Sequence, residues 1–365
     1  MKKAGITIDL SLAFWSNGLQ QNVVFFYDML ERMGGIDAYY ISQKPPNKPL
    51  KKKHKGLELN ELLKDDSFAL DYLFICGFDL LPEMYEILKK RNPSIKIILI
   101  HYGGKCIDDL HYSTLPTHSS KKPLSTPKYL SEVWTSPHYE FSSSYIKTYY
   151  NTDNVKIAPY IWDSFFVEEA FKSLKSKKKD LFEPKKVSNI CIFEPNKTSA
   201  KHCLLPIMIC ERLEQIFPGS VSEVNSFCCD NLRKNRYFGE LMNRLSIHQK
   251  PSKCYFNNRW NLISALSKFG STVVSNQINN ELNYLYLELL HLGMPLIHNS
   301  KPLKDVGYYY PDFDLDFGAK QLKLAIETHE KELDWYKGHS RSFLQRYSPY
   351  NEKNISIYKD LIECI

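Results

Sequence analysis

What most limits the folds open to this chain is a rhythm. Short apolar runs of strand length alternate with longer stretches of helical period, and the alternation is played twice. Apolar runs at 4–10, 38–42, 72–76, 96–101, 132–135 and 155–159 read as buried strands, with helical segments between them, notably 19–33 and 81–91. Strands buried on both faces belong to parallel sheets, because crossover helices are what cover both sides. After Phe166 the rhythm pauses in a Lys- and Ser-rich stretch ending at Lys186. It then restarts, with strands at 188–193, 221–227, 253–257, 271–274 and 295–298 and helices at 199–217, 236–245, 260–269 and 280–292. The expectation is an α/β chain of two doubly wound, Rossmann-like parallel-sheet domains facing a central cleft. Their bounds are 1–166 and 187–317, with 167–186 as linker and C-terminal helices over 318–365 that can cross back to the first domain. A length of 365 residues suits two such domains.

Composition narrows the class. Hydrophobic residues make up 43% and charged residues 24%, a globular profile rather than a disordered one. No apolar stretch approaches the roughly 20 residues a membrane-spanning helix needs. Asp9 interrupts the first apolar run, which reads as a strand and not as a signal peptide. Nine cysteines without C-x-x-C spacing fit a reducing, cytoplasmic setting, where the sequons at Asn196 and Asn354 carry no meaning. Net charge is +7, concentrated in the lysine runs 51–55 and 175–179. These read as solvated surface, with a peripheral membrane association as the sharper alternative. The basic residues form no aromatic-interleaved stripe, which argues against a nucleic-acid partner.

In open α/β sheets ligands bind beyond the carboxyl ends of the strands, and four such places stand out. Gly18 precedes a long helix whose N-terminus offers N–H groups to an anion or a polar sugar; an ordinary turn is the plainer reading. His101, directly after an apolar strand, is either a partner for a sugar hydroxyl, possessing the chemistry of a general base, or a turn histidine with a structural bond. Asp108 and Asp109 follow closely as an alternative base or orienter. After the first strand of the second half, Asn196 and Lys201 flank a loop, and Lys201 in the first turn of a helix would join its ammonium to the helix dipole at a diphosphate. A surface lysine is the alternative. Last comes the loop from Asn276, with Asn280 opening a helix, Glu288 inside it, Gly293-Met-Pro295 ending it, and His298 after the next strand. A carboxylate there matches the vicinal hydroxyls of a ribose, and the leucines around Glu288 make an idle carboxylate costly.

In this order the pieces resemble the GT-B glycosyltransferases of the glycosyl group-1 type, family 4. Ser16-Asn-Gly18 is similar to that family's glycine loop, His101-Tyr-Gly103 to its strand-ending His-Gly, and 158–166 to the phrase that closes its first domain. The family holds the donor diphosphate with an arginine and a lysine, matched here by Asn196 and Lys201. Its paired glutamates before Gly-x-Pro are matched by Asn280 and Glu288 before Gly293-Met-Pro295. The segments 286–300 and 307–310 are also similar to a little-studied bacterial and viral glycosyltransferase-like family. The resemblance implies a hexosyl- or pentosyltransferase that uses a nucleotide-sugar donor and a glycan, lipid-linked or protein-linked acceptor. It implies that Asn257 or Arg259 lies near the base, and that no metal or other cofactor is required. Two other readings stay open: a non-catalytic nucleotide- or sugar-binding protein, and a GT-B-like nucleotide-sugar epimerase. The spacing Asp312-Phe-Asp314-Leu-Asp316 is that of a metal-binding D-x-D, but it falls late in the chain.

Overall fold

A computed structural model describes residues 1–10, 18–44, 53–114, 127–174, 181–249 and 251–365. The chain divides into two compact units, Met1–Asp163 with Arg346–Ile365, and Ser164–Gln345.

The first unit is built on strands β1 (Lys2–Thr7), β2 (Ile36–Ser42), β3 (Gly56–Glu58), β4 (Tyr72–Ile75), β5 (Lys96–His101), β6 (Glu132–Thr135) and β7 (Val155–Ile157). All pairings are parallel, in the order β3-β2-β1-β4-β5-β6-β7, so the winding reverses between β1 and β4. Its helices are α1 (Gly18–Met33), α2 (Leu59–Lys64), α3 (Pro82–Arg91), α4 (Lys105–Thr114) and α5 (Ser143–Tyr150). Strand β4 shows how one sequence feeds two cores. Leu73 and Ile75 join Tyr85, Leu88, Ile97 and Ile146 in one, while Phe74 points to the other, as the two-residue period of a strand requires.

The second unit opens with α6 (Phe165–Lys172), followed by β8 (Asn189–Ile192), α7 (Leu204–Ile216), β9 (Glu223–Ser226), α8 (Arg236–Met242), β10 (Cys254–Phe256), α9 (Leu262–Phe269) and β11 (Thr272–Val274). It continues through α10 (Tyr284–Leu292), β12 (Leu296–His298), β13 (Tyr308–Tyr309) and the long α11 (Leu315–Leu344). The parallel order is β10-β9-β8-β11-β12-β13, with the reversal between β8 and β11. Gly293 ends α10 at φ 72°, and a Cβ there would meet the Lys337 side chain of α11; this is why Gly-x-Pro closes that helix.

Several boundaries differ from the sequence expectation. Residues 165–172, of which 167–172 were expected within the linker, form α6, an apolar-faced helix with Val167 buried and packed against α9. The run 175–179 lies outside the described residues. The helix expected from 318 begins at Leu315, where the Asp314 side chain caps it by accepting from the Phe317 N–H at 2.8 Å. Among the described residues no helix is long and apolar enough to cross a membrane.

The last helix, α12 (Glu352–Glu363), belongs to the first unit and packs on α1. There Tyr358 joins Phe26, Phe74 and Trp134, with ring centroids 5.5 Å from Phe26 and 6.0 Å from Trp134, and its hydroxyl donates to the Pro159 carbonyl at 2.7 Å. Tyr358→Ala is expected to cost the first unit about 3–5 kcal/mol, by analogy with other buried aromatics. Urea unfolding followed by tryptophan fluorescence will show this as an earlier transition.

Candidate functional site

At the reversal point of the second sheet the loops after β8 and β11 are sewn together by backbone. Lys201 forms a bridge with Gln277, and the Ile278 N–H donates to the Ala200 carbonyl at 2.9 Å. Lys201 also closes a turn on its own loop, donating to the Thr198 carbonyl and accepting from the Asn196 N–H at 3.1 Å. The periodicity predicts a helix from 199, yet 199–200 form a turn between the bridged Thr198 and Lys201, and α7 starts at Leu204. Lys201 is therefore not in a helical first turn; it is held by its main chain against Gln277.

Asn196 sits at φ 55°, a left-handed conformation that asparagine tolerates better than most residues. Its amide nitrogen donates to the carbonyls of Glu194 at 2.8 Å, Phe227 at 3.2 Å and Cys228 at 3.3 Å, and its oxygen accepts from the Cys203 N–H at 2.8 Å. The side chain that the sequence resemblance would set at a donor diphosphate is thus spent on tying the β8 loop to the β9 loop and to the start of α7.

Below these loops lies Glu194, with no exposed surface. Its carboxylate accepts from the Ser275 hydroxyl, from the Gln277 amide at 3.2 Å and from the Asn276 N–H. Burial pushes its pKa up to about 7, opposed by the Ser275 bond, the Lys201 charge and the Gln277 bond. Ser275 also shares a 2.8 Å bond with the Tyr286 hydroxyl of α10, and its carbonyl accepts from the Tyr310 hydroxyl at 2.9 Å. The Asn299 side chain clasps the Gln277 main chain, its oxygen accepting from the Gln277 N–H and its amide nitrogen donating to the Gln277 carbonyl, each at 2.9 Å.

The other candidates distribute around this centre. Asn276 is buried; its amide nitrogen donates to the Tyr310 hydroxyl at 3.0 Å and the Asp312 carbonyl at 3.1 Å, while its oxygen has no hydrogen-bond partner among the described residues. Asn280 donates to the Gln277 side chain at 2.6 Å and precedes the helix instead of opening it, since Asn283 caps α10 by accepting from the Tyr286 N–H at 3.2 Å. Glu288 lies half-buried on α10. His298, expected to touch the donor, is fully buried, with Nε2 donating to the Val306 carbonyl at 2.8 Å and Nδ1 accepting from the Ser300 N–H at 3.1 Å. Both ring nitrogens are used inside the fold, burial lowers its pKa to about 4, and no atom is left for a ligand. Asn257 and the exposed Arg259 stand at the β10 side of the sheet, apart from Lys201, with Asn257 donating to Asn225 at 3.1 Å and Arg259 acting on the Cys228 thiol through its charge.

In the first unit, His101 ends β5 half-buried, and its Nε2 bonds the Tyr150 hydroxyl at 2.8 Å. Burial, reinforced by the nearby Lys105 charge, lowers its pKa to about 4. The imidazole is neutral at physiological pH and too weak a base to favour proton removal; it suits hydrogen bonding. Asp108 lies in the first turn of α4, and Asp109 is taken by Lys105 and by the Tyr145 hydroxyl at 2.6 Å. Gly18 begins α1, with its carbonyl accepting from the Asn22 side chain at 3.1 Å; the loop 11–17 before it lies outside the described residues.

A family model described as "Protein of unknown function (DUF2827)" matches residues 4–362. The chain belongs to the DUF2827 family. A comparison with curated proteins finds no match. Among solved structures, this DUF2827 chain is similar to a glycosyltransferase from Rickettsia africae, with 14% identity, a TM-score of 0.53 and 99% of each chain covered. It is similar to a UDP-forming α,α-trehalose-phosphate synthase from Burkholderia xenovorans in complex with glucose-6-phosphate, with 10% identity, a TM-score of 0.60, and 100% and 99% of the two chains covered. A third is WaaG, a glycosyltransferase involved in lipopolysaccharide biosynthesis, with 12% identity, a TM-score of 0.51, and 97% and 99% covered. The fold of this DUF2827 chain is GT-B, two parallel-sheet α/β domains.

Sequence reasoning missed Glu194 and Ser275. The available signal was a carboxylate ending the otherwise apolar run 190–193, a position that costs stability unless partners meet it. The D-x-D spacing proves to be three separate structural roles: Asp312 pairs with Lys301 at 3.2 Å, Asp314 caps α11, and Asp316 pairs with Arg212. The raised Glu194 pKa has a stability consequence. A carboxyl ordinary at 4.5 in the unfolded chain and at about 7 in the fold loses its contribution as pH rises through that interval. Glu194→Gln should therefore gain stability relative to the native protein on going from pH 5 to about pH 8, by on the order of 3 kcal/mol. Paired thermal melts at the two pH values measure it.

Proposed function

We propose that this protein is a glycosyltransferase, hexosyl or pentosyl, that moves a sugar from a nucleotide-diphosphate-sugar to a glycan, lipid-linked or protein-linked acceptor without a metal. The observation that carries the reading is the backbone bridge between Lys201 and Gln277 at the β8/β11 reversal point. It sets a cation beside the Asn276–Asn280 loop that leads into α10, the helix bearing Glu288, where open α/β sheets bind their ligands. The solved GT-B structures support it, since glycosyltransferases and a UDP-forming synthase share the fold over nearly the whole chain. The order of the degenerate motifs favours the glycosyl group-1 type.

In this reading Lys201 stabilises the departing nucleoside diphosphate where negative charge develops. Glu288 accepts from the ribose hydroxyls, and Arg259, with Asn257, serves the base. His101 bonds a sugar hydroxyl, and Asp108 is the alternative base or an orienter. Asn276, whose buried oxygen lacks a partner among the described residues, has an acceptor to offer a ligand N–H or O–H. A second reading, nucleotide-sugar binding without transfer, draws support from the neutral Asn280 in a place where the resemblance implies a glutamate. Release of nucleoside diphosphate in the presence of acceptor separates the two.

Lys201→Ala and Glu288→Ala are each expected to weaken nucleotide-sugar binding by tenfold to a hundredfold, about 1.5–3 kcal/mol for a lost bond to a charged group. Calorimetry on the folded variants measures it, and unchanged affinity in both removes the donor assignment.

A further inference from the structure

The transfer chemistry proposed above makes no use of Glu194, the buried carboxyl beneath the donor loops. Its surroundings come from every element packed on it. Lys201 from its own loop is the cation of the set. The loop after β11 supplies the Ser275 hydroxyl, the Asn276 N–H and the Gln277 amide. Helix α10 brings Tyr286, and the segment after β13 brings Tyr310, both phenols held neutral by burial. Glu281 lies further out and acts on Tyr286 through its charge.

We propose that Glu194 is a positioning residue whose carboxylate takes up one proton when a nucleotide-diphosphate-sugar binds, so that Lys201 presents its whole charge to the diphosphate. The inference rests on the donor reading. Before the donor binds, an ionised Glu194 and Lys201 offset each other. A dianionic diphosphate brought to Lys201 is a like charge for Glu194 in a poorly solvated place, and such a charge favours the protonated carboxyl. The step balances simply: a proton from solvent adds to the carboxylate oxygen, and no other bond changes.

The hydroxyls of the hydrogen-bond chain can turn round to meet that proton. Ser275 donates to ionised Glu194, and in its 2.8 Å contact with Tyr286 either hydroxyl can be the donor. When Glu194 is protonated, its O–H donates to Ser275 Oγ, and the Ser275 hydroxyl turns to Tyr286. A carboxylate held only by backbone N–H groups would lack this reversal, because those donors cannot become acceptors.

The test is calorimetry of the full chain with UDP-glucose, GDP-mannose and dTDP-glucose, whose diphosphate diesters do not titrate near neutrality. The best binder is titrated in phosphate and in Tris buffers, which differ in ionisation enthalpy. At about pH 8 the expected result is uptake of close to one proton, with affinity falling about tenfold per pH unit above neutrality. Glu194→Gln should abolish both the uptake and the pH slope. A purely structural glutamate would instead lower affinity equally at every pH. His202→Gln, at the nearest histidine on the same loop, should retain the uptake. Should Glu194→Gln fail to fold, Ser275→Ala serves: it removes a donor to the carboxylate and should move the uptake curve to higher pH. Tight binding with no proton uptake, or uptake that survives Glu194→Gln, overturns the inference and leaves the donor reading standing. Absence of binding by every sugar nucleotide overturns the donor reading, and this inference with it.

Discussion

A carboxylate with no access to water must be met by donors or lose its charge, and in the second unit that demand organises the loops of the candidate site. Glu194 follows β8, and the donors that meet it come from the loop after β11, so satisfying one buried group ties together segments far apart in sequence. The bridge between Lys201 and Gln277 then extends the tie along the main chain. Gln277 is held in turn by Asn299 after β12, and Ser275 by Tyr310 after β13. Four loops at one edge of a parallel sheet are thereby coupled to the state of one carboxyl.

Asparagine and glutamine carry much of this work, for a physical reason. Each amide offers both donors and an acceptor without a net charge, so it can brace loops in a buried place at lower desolvation cost than a charged residue. Asn196 shows the consequence most clearly. It occupies the place of a charged phosphate ligand in the family it resembles, yet its nitrogen and oxygen are directed into the scaffold. On the same loop Lys201 carries a charge that acts on Glu194 and opposes the effect of burial on its carboxyl.

The first unit is ordered by packing instead. Tyr358 on the returning helix fits among Phe26, Phe74 and Trp134, which lets a segment remote in sequence complete one face of the first sheet. His101 sits at the carboxyl edge of that sheet in a setting that keeps its imidazole neutral, a group shaped for hydrogen bonding more than for proton transfer.

The fold class was legible from periodicity, because a strand covered on both faces must be apolar and a crossover helix must be amphipathic whatever its neighbours are. For the same reason the strands after which candidate residues fall were placed well, and Gly293 announced a helix end through the left-handed backbone it adopts. Hydrogen-bond partners were not legible, since they join residues that sequence spacing does not relate. Only the tertiary structure turned His298 inward, drew Lys201 out of a helix into a bridge, and separated the three aspartates of the D-x-D spacing. Glu194 belongs to both accounts: the sequence determined that a carboxylate would directly follow an apolar run, and the packing of four loops around it decided that the carboxylate would be buried and sit near neutrality.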